Sequence, residues 1–339
     1  MQLSKGEEIN VTTTIGMFGA KGGIGKSIIT LLMGTLLALK GKRVVVIDFD
    51  GNPGISPLFL TLAEVLKDRE DLEQELLDNS MDLTVHRILL YPEKGIQDLI
   101  LGYPLLELLD RLPTVRRDEN MKVNPNTIRQ ETIEYYGIHP DTLQDGELHL
   151  IPNAGSFSDL LRELERRHLT DRTFNPEMAL ARNLPIALAA HYQAGYPEYD
   201  YVLIDTAGEL GLLPTMVAHL ADIAYFPFNM TALSLQGTIR TYQSVQSALR
   251  SEKVPHNLRI IPPLLNKYKS NRDKDGRWIQ EVAGPKLSKA HLTISQPYLP
   301  YSSYVGEDAD QYGIMPFMMN PLDPFVKATY EIMKGSLSL

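Results

Sequence analysis

The sequence contains no cysteine. Disulfides, thiolate nucleophiles, iron–sulfur ligation and thiolate zinc sites are therefore excluded together, and the composition fits a reducing cytoplasm. Long apolar runs are also missing. The longest, Ile28 to Leu39, is interrupted by Thr and Gly and falls short of the roughly 20 residues of a membrane-spanning helix. The opening MQLSKGEEIN has no apolar signal-peptide core. A basic excess is absent too: 33 Lys and Arg face 42 Asp and Glu, a formal net charge of −9. Attraction to nucleic acid or anionic lipid would have to come from a local patch. The eight histidines are scattered with no close pair at ligand spacing, and no G-x-S-x-G occurs, which leaves little support for a zinc site or a hydrolase triad. What remains is a soluble-looking chain of 339 residues, 43% of them hydrophobic, with enough apolar surface for a sizeable core.

VTTTIGMF (11–18) is β-rich and stops at a cluster of glycines. KSIITLLMGTLLALKGK (26–42) has helical patterning, with Gly41 placed to close it. RVVVID (43–48) reads as a buried strand. Strand, glycine loop, helix and strand make one βαβ unit. From about 58 to 190 the pattern is mainly helical, as in LAEVLKDREDLEQELLD and FSDLLRELERRHL, and is broken by Pro92, Pro104, Pro113, Pro125 and Pro140. Within it, ELHLIPNAG (147–155) reads as a strand returning to the sheet. Alternation then resumes: strand in YDYVLIDTAG, helix in LLPTMVAHLAD, strand in IAYFPFN, helix in SLQGTIRTYQSVQSALRSEK and strand in LRIIPPLLNKY. A helix near 278–288, a last strand near LTISQPYLP and a helix after Pro324 complete the series. The expected fold is α/β, a mostly parallel, doubly wound sheet. It forms one domain over 1–339, with a mainly helical insertion at 61–146.

FGAKGGIGKS (18–27) stands at the first strand–helix junction. The phosphate-cradling pattern G-x-x-x-x-G-K-[ST] is met by Gly25, Lys26 and Ser27 but has Ala20 at its first position. The physical needs are still served. Gly22, Gly23 and Gly25 let successive N–H groups turn inward around Ile24, and the loop opens a helix beginning Lys26-Ser27-Ile28, whose amino end favours an anion. Lys26 is placed for the β- and γ-phosphates and the Ser27 hydroxyl for Mg²⁺. KGGIGKS resembles the deviant Walker A box of the ParA/MinD ATPases, which tolerate a non-glycine where Ala20 stands. The resemblance implies a P-loop NTPase fold, ATP and Mg²⁺ as ligands, and a role for Lys21 in reaching across a homodimer to the partner's nucleotide. A second ammonium could neutralise charge on a transferred phosphoryl as an arginine finger does.

Asp48 and Asp50 end the strand VVVIDFD and, two apart, share a face. Ligands of open α/β sheets collect at such strand ends. The resemblance implies that Asp50 positions the attacking water and that Asp48 belongs to the Mg²⁺ shell and switch. YVLIDTAG repeats the logic as a Walker B arrangement with Asp205 toward Mg²⁺. Its continuation, Ala207-Gly208-Glu209, departs from the family's usual proline after this segment. PLLNKYKSNR resembles the family's late strand, with Asn266 able to donate and accept at an adenine edge. QPYLPYSSYVGEDADQYG resembles its closing segment, with Pro300 and Tyr301 near the base.

Between Arg250 and Arg277 stand eight basic residues, Arg250, Lys253, Arg259, Lys267, Lys269, Arg272, Lys274 and Arg277, against Glu252, Asp273 and Asp275. Such a stretch suits phosphate contacts without base reading, and a solvated surface run is the competing view. No helix-turn-helix pattern precedes the first strand. The tail KATYEIMKGSLSL has two lysines, unlike the basic amphipathic helix with which MinD-type members bind membrane. The resemblance therefore implies a ParA-type ATPase: an ATP-bound sandwich dimer that binds DNA non-specifically, on the nucleoid, and segregates or positions cargo. An adaptor such as a ParB-like protein would stimulate hydrolysis, and no stable membrane association is expected. The alternatives are a MinD-like membrane-surface ATPase and a non-hydrolysing, nucleotide-dependent regulator.

Overall fold

The structure, a computed structural model, describes residues 12–19, 22–50, 55, 109–110, 130–139, 141–151, 153, 157–193, 198–208, 211–251, 258–266, 276–300, 302, 320–337 and 339. Most of the 61–146 insertion, LAEVLKDREDLEQELLD included, lies outside the described residues.

The first elements follow the sequence closely. Strand β1 is Thr13–Met17, helix α1 is Lys26–Leu39 and strand β2 is Arg43–Phe49. Helix α1 stops where its chemistry says it should. The N–H of Gly41 donates to Ala38 O at 2.9 Å and that of Lys42 to Leu37 O at 3.1 Å, the paired bonds of a Schellman end. Gly41 sits at φ 77°, a left-handed conformation that costs other residues about 1–2 kcal/mol. Its neighbour leaves no room either: a Cβ there would lie 2.4 Å from Thr142 O.

Among the described residues, the further strands and α-helices are β3 (Leu109–Asp110), α2 (Gln130–Tyr136), β4 (Glu147–Ile151), α3 (Phe157–Thr170), α4 (Ala179–Gln193), β5 (Tyr201–Thr206), α5 (Leu212–Ala218), β6 (Ile223–Tyr225), β7 (Pro227–Asn229), α6 (Ala232–Ser251), β8 (Arg259–Ile260), β9 (Leu264–Asn266), α7 (Gly284–Lys289) and α8 (Pro324–Leu337). The main sheet runs β3-β4-β2-β5-β1-β6-β8. Its neighbours are parallel except for the antiparallel β3–β4 edge. Strands β7 and β9 form a separate parallel pair.

Alternation along the central strands divides the core in two. Ile15, Met17, Val44, Val46 and Leu203 pack with α1 and α8. Val45, Ile47, Phe49, Val202 and Ile204 pack on the other face with Leu160, Leu180, Met216 and Val245 from α3, α4, α5 and α6. This is the expected doubly wound arrangement, and burial on both faces explains why RVVVIDF is so apolar. Asp48 and Asp205 continue the Val44–Val46 and Leu203 faces by alternation, so both belong to the side on which α1 begins.

Three expected strands differ in extent, and proline explains each. IAYFPFN splits into β6 and β7 because Pro227 has no N–H for the ladder. LRIIPPLLNKY breaks at Pro262-Pro263: Ile261 N still donates to Ala224 O at 2.9 Å and Leu264 N to Phe226 O at 3.0 Å, on either side of the gap. Of the last strand, the described residues keep two main-chain bonds on either side of Pro297, Ser295 N to Pro263 O at 3.0 Å and Leu299 N to Leu265 O at 2.9 Å. Near 278–288 the helix is partly of π type, Ile279–Ala283, before α7.

Gly41→Ala should lower the unfolding free energy by at least about 2 kcal/mol, from left-handed strain plus the contact with the Thr142 carbonyl. Urea denaturation measures this, and a change under 0.5 kcal/mol would contradict the assigned helix end.

Candidate nucleotide and metal site

β1 and α1 are joined by the glycine loop. Gly23 (φ 71°) and Gly25 (φ 88°) are left-handed, the conformation that makes successive N–H groups converge. Ile24 between them is buried and anchors the bend. On the outside the loop is open, since nothing lies within 4 Å of where a Cβ would stand on Gly22 or Gly23. Helix α1 starts with no side-chain cap and no acid in its first turn. Its first N–H groups are thus left for an anion. Lys26 is buried at 5% exposure, and Ser27 and Ile28 are half-buried. Lys21 lies outside the described residues.

Parallel register brings the strand-end carboxylates together. Asp48 of β2 pairs in register with Asp205 of β5, and Asp205 with Met17 of β1, just before the loop. Asp48 and Asp205 are fully buried, and Asp50 follows β2 half-exposed. Burial pushes the Asp205 carboxyl up to about 7; the charges of Asp48 and Asp50 add to the rise, while Lys26 and the Ser27 hydroxyl oppose it. Ser27 is near enough to favour the ionised form, yet neither Asp205 oxygen closes a hydrogen bond of good geometry among the described residues.

A buried carboxylate that lacks a full set of partners is costly, and a divalent cation is the group that would remove the cost. The donors are hard oxygens, as Mg²⁺ requires. No group of three His, Cys, Asp or Glu among the described residues could hold a metal by itself. Phosphate oxygens and water would have to complete the shell. Asp205, Asp48 and Ser27 therefore fit the group.

Two residues that the motifs did not single out hold this edge together. Thr206 is buried, and its hydroxyl donates to Met17 O at 2.6 Å, tying β5 to β1 at the loop's root. The Asn153 amide donates to Asp50 O at 2.7 Å. Their only sequence signal was position, at or just past the end of a buried strand. Ala207 is buried and Gly208 half-buried, while Glu209 lies outside the described residues.

Of the residues expected near the base, Asn266 closes β9 opposite Asn229. The Leu299–Leu265 rung sets half-buried Pro300 next along the chain from Leu299, beside that strand end. The side chain of Asn266 and the whole of Tyr301 lie outside the described part. Of the basic stretch, Arg250 is exposed in the last turn of α6, its guanidinium near Gln246 Oε1 at 3.4 Å. Arg259 donates to Ser336 O on α8. Lys253, Lys267, Lys269, Arg272 and Lys274 lie outside the described residues. No described helix is long and apolar enough to cross a membrane.

The family model of the CobQ/CobB/MinD/ParA nucleotide binding domain matches residues 15–309. The chain belongs to this family. It is also 24% identical, over 226 residues, to uncharacterized proteins from two Mycobacterium tuberculosis strains, H37Rv and CDC 1551 / Oshkosh. That match covers 66% of this chain and 48% of each relative, so the chain spans about half the length of the curated relatives it matches.

Among solved structures, Mycobacterium smegmatis cobyrinic acid a,c-diamide synthase with an ATP analogue and magnesium is 17% identical at a TM-score of 0.58, covering 96% and 94% of the two chains. An aspartate-to-alanine variant of Cyanothece McdA with ATP is 16% identical at 0.56, covering 97% of both. A Borrelia burgdorferi B31 protein assigned to plasmid partition, bound to AMPPNP, is 15% identical at 0.53, covering 97% and 99%. At these identities the likeness shows the fold, the mostly parallel P-loop NTPase sheet with flanking helices.

The Asp205 carboxyl gives the nucleotide-free protein a pH signature. The folded state keeps this proton up to about pH 7, whereas the unfolded chain releases it near 3.9. Stability should therefore fall as pH rises from about 4 to 7 and level off above, by on the order of 3 kcal/mol from this group. Urea denaturation without Mg²⁺ should show the wild type losing this margin relative to Asp205→Asn between pH 5 and 8. Parallel curves for the two proteins would contradict the buried, uncompensated carboxylate.

Proposed function

We propose that the protein is a ParA-type ATPase that hydrolyses ATP between two copies of itself and uses the dimer to hold DNA. The observation that carries the reading is the convergence of Asp48, Asp205 and Asp50 beside the uncapped start of α1, behind a loop with two left-handed glycines. Phosphoryl transfer needs positioning and charge neutralisation more than covalent help. In the proposed reaction Gly22, Gly23, Ile24, Gly25, Lys26, Ser27 and Ile28 wrap the phosphates, and Asn266, Pro300 and Tyr301 receive the adenine. Mg²⁺, held by Asp205, Ser27 and Asp48, would neutralise phosphate oxygens. Asp50 orients the attacking water, and Lys21 reaches the partner's nucleotide.

The fold alone does not choose among the family's activities, since a synthase and a partition-type protein share it to a similar degree. The sequence supports the partition-type reading through the additional Lys21 and through the net local charge of +5 from Arg250 to Arg277. In the proposed cycle, ATP favours the closed dimer because both loops bind it better there. The dimer joins two basic stretches (Arg250, Lys253, Lys267, Lys269, Arg272, Lys274) into one DNA-binding surface. A ParB-like or other adaptor accelerates hydrolysis, and the opened subunits release the DNA.

Light scattering with ATP should show the wild type pairing and Lys21→Ala remaining monomeric. Phosphate release should fall by about 100-fold or more in Asp50→Ala. DNA co-sedimentation with ATP should weaken steeply with salt. ATP-dependent binding to anionic liposomes but not to DNA would favour the membrane-surface alternative. Unchanged pairing and turnover in Lys21→Ala would overturn the shared-site reading.

A further inference from the structure

We infer that Asn153 is a positioning residue for Asp50, acting through the backbone on which Asp50 is mounted; this rests on the proposed role of Asp50 in orienting water. Strands β2 and β4 are parallel neighbours in register from Arg43↔Glu147 to Ile47↔Ile151. Counting on, Phe49 falls abreast of Asn153. The registered pairing of the two strands ends at Ile47↔Ile151. The Asn153 side chain takes over: its amide Nδ2 donates to Asp50 O at 2.7 Å, across 103 residues of sequence, from a partly buried position. Asp50 is the first residue beyond β2, so its carbonyl lies where the strand's own pairing ends.

The consequence is mechanical. A carboxylate at a strand end is only as well aimed as the peptide that carries it, and productive geometry tolerates about 0.5 Å. The Asn153 bond adds one rung beyond β4 and fixes that peptide. The phosphate loop hangs instead from β1, whose end is tied by Thr206 to Met17 O. The phosphate loop and the water-positioning acid are thereby anchored on different strands. Loss of the Asn153 amide should disturb the second and spare the first.

The test is a double-mutant cycle on turnover. With Asp50 present, Asn153→Ala should lower kcat about 10- to 100-fold while leaving KM for ATP within about twofold. In an Asp50→Asn background, the same substitution should change kcat less than twofold, because the group being aimed is gone. Asn153→Ser, which keeps a donor, should recover part of the rate, and Asn153→Asp, isosteric but without the amide donor, should not. Equal losses in both backgrounds, or a KM that rises with the fall in kcat, would mean a merely structural role and overturn the inference. A slow Asp50→Asn with a wild-type Asn153→Ala overturns this inference alone. An Asp50→Asn as fast as wild type overturns the role of Asp50 and this inference with it.

Discussion

The structure turns on one electrostatic constraint: two carboxylates are buried side by side at the ends of neighbouring parallel strands. Asp48 and Asp205 lie in register, both fully buried, where water cannot solvate their charge. A stable protein seldom keeps such a pair unless another charge completes it. Lys26 supplies part of the balance, but Asp205 still rises to about 7. The site is therefore short of positive charge, a deficit that a divalent cation would remove. Hard oxygen donors, an uncapped helix start and left-handed glycines all face this same edge.

Sheet order explains why these groups meet. β1 lies between β5 and β6, while β2 lies on the far side of β5. The chain leaving β1 passes through the loop into α1 and returns to β2, so the loop, Asp48 and Asp205 arrive from three strands at one carboxyl edge. Ligands of doubly wound sheets gather at such edges. Local ties then stiffen the edge: Thr206 joins β5 to β1, and Asn153 joins the segment after β4 to the end of β2.

Much of this was legible in the sequence because the signals were local. A strand, a glycine bend, a helix with Gly41 past its end and a second strand each announce themselves by period or by backbone demand. The structure places them within a residue or two, except that α1 ends at Leu39, before the Lys40–Lys42 that close it. Proline caused the misreadings, since IAYFPFN and LRIIPPLLNKY look apolar and continuous while Pro227, Pro262 and Pro263 remove the donors that a continuous ladder needs. Asn153 and Thr206 carried no motif; each works through one bond to a residue more than 100 positions away, which no local pattern encodes. The pairing of Asp48 with Asp205 likewise depends on register across strands, where the sequence shows only two separate apolar runs ending in acid.

On this reading the buried acids wait for a cation that comes with the nucleotide. Calorimetric titration of ATP, with and without Mg²⁺, into the wild type and Asp205→Asn tests this most directly. Mg²⁺ should tighten ATP binding at least about tenfold in the wild type, a gain of about 1.4 kcal/mol, and have little effect in the variant. Equal Mg²⁺ dependence in both proteins, or none in the wild type, would contradict it.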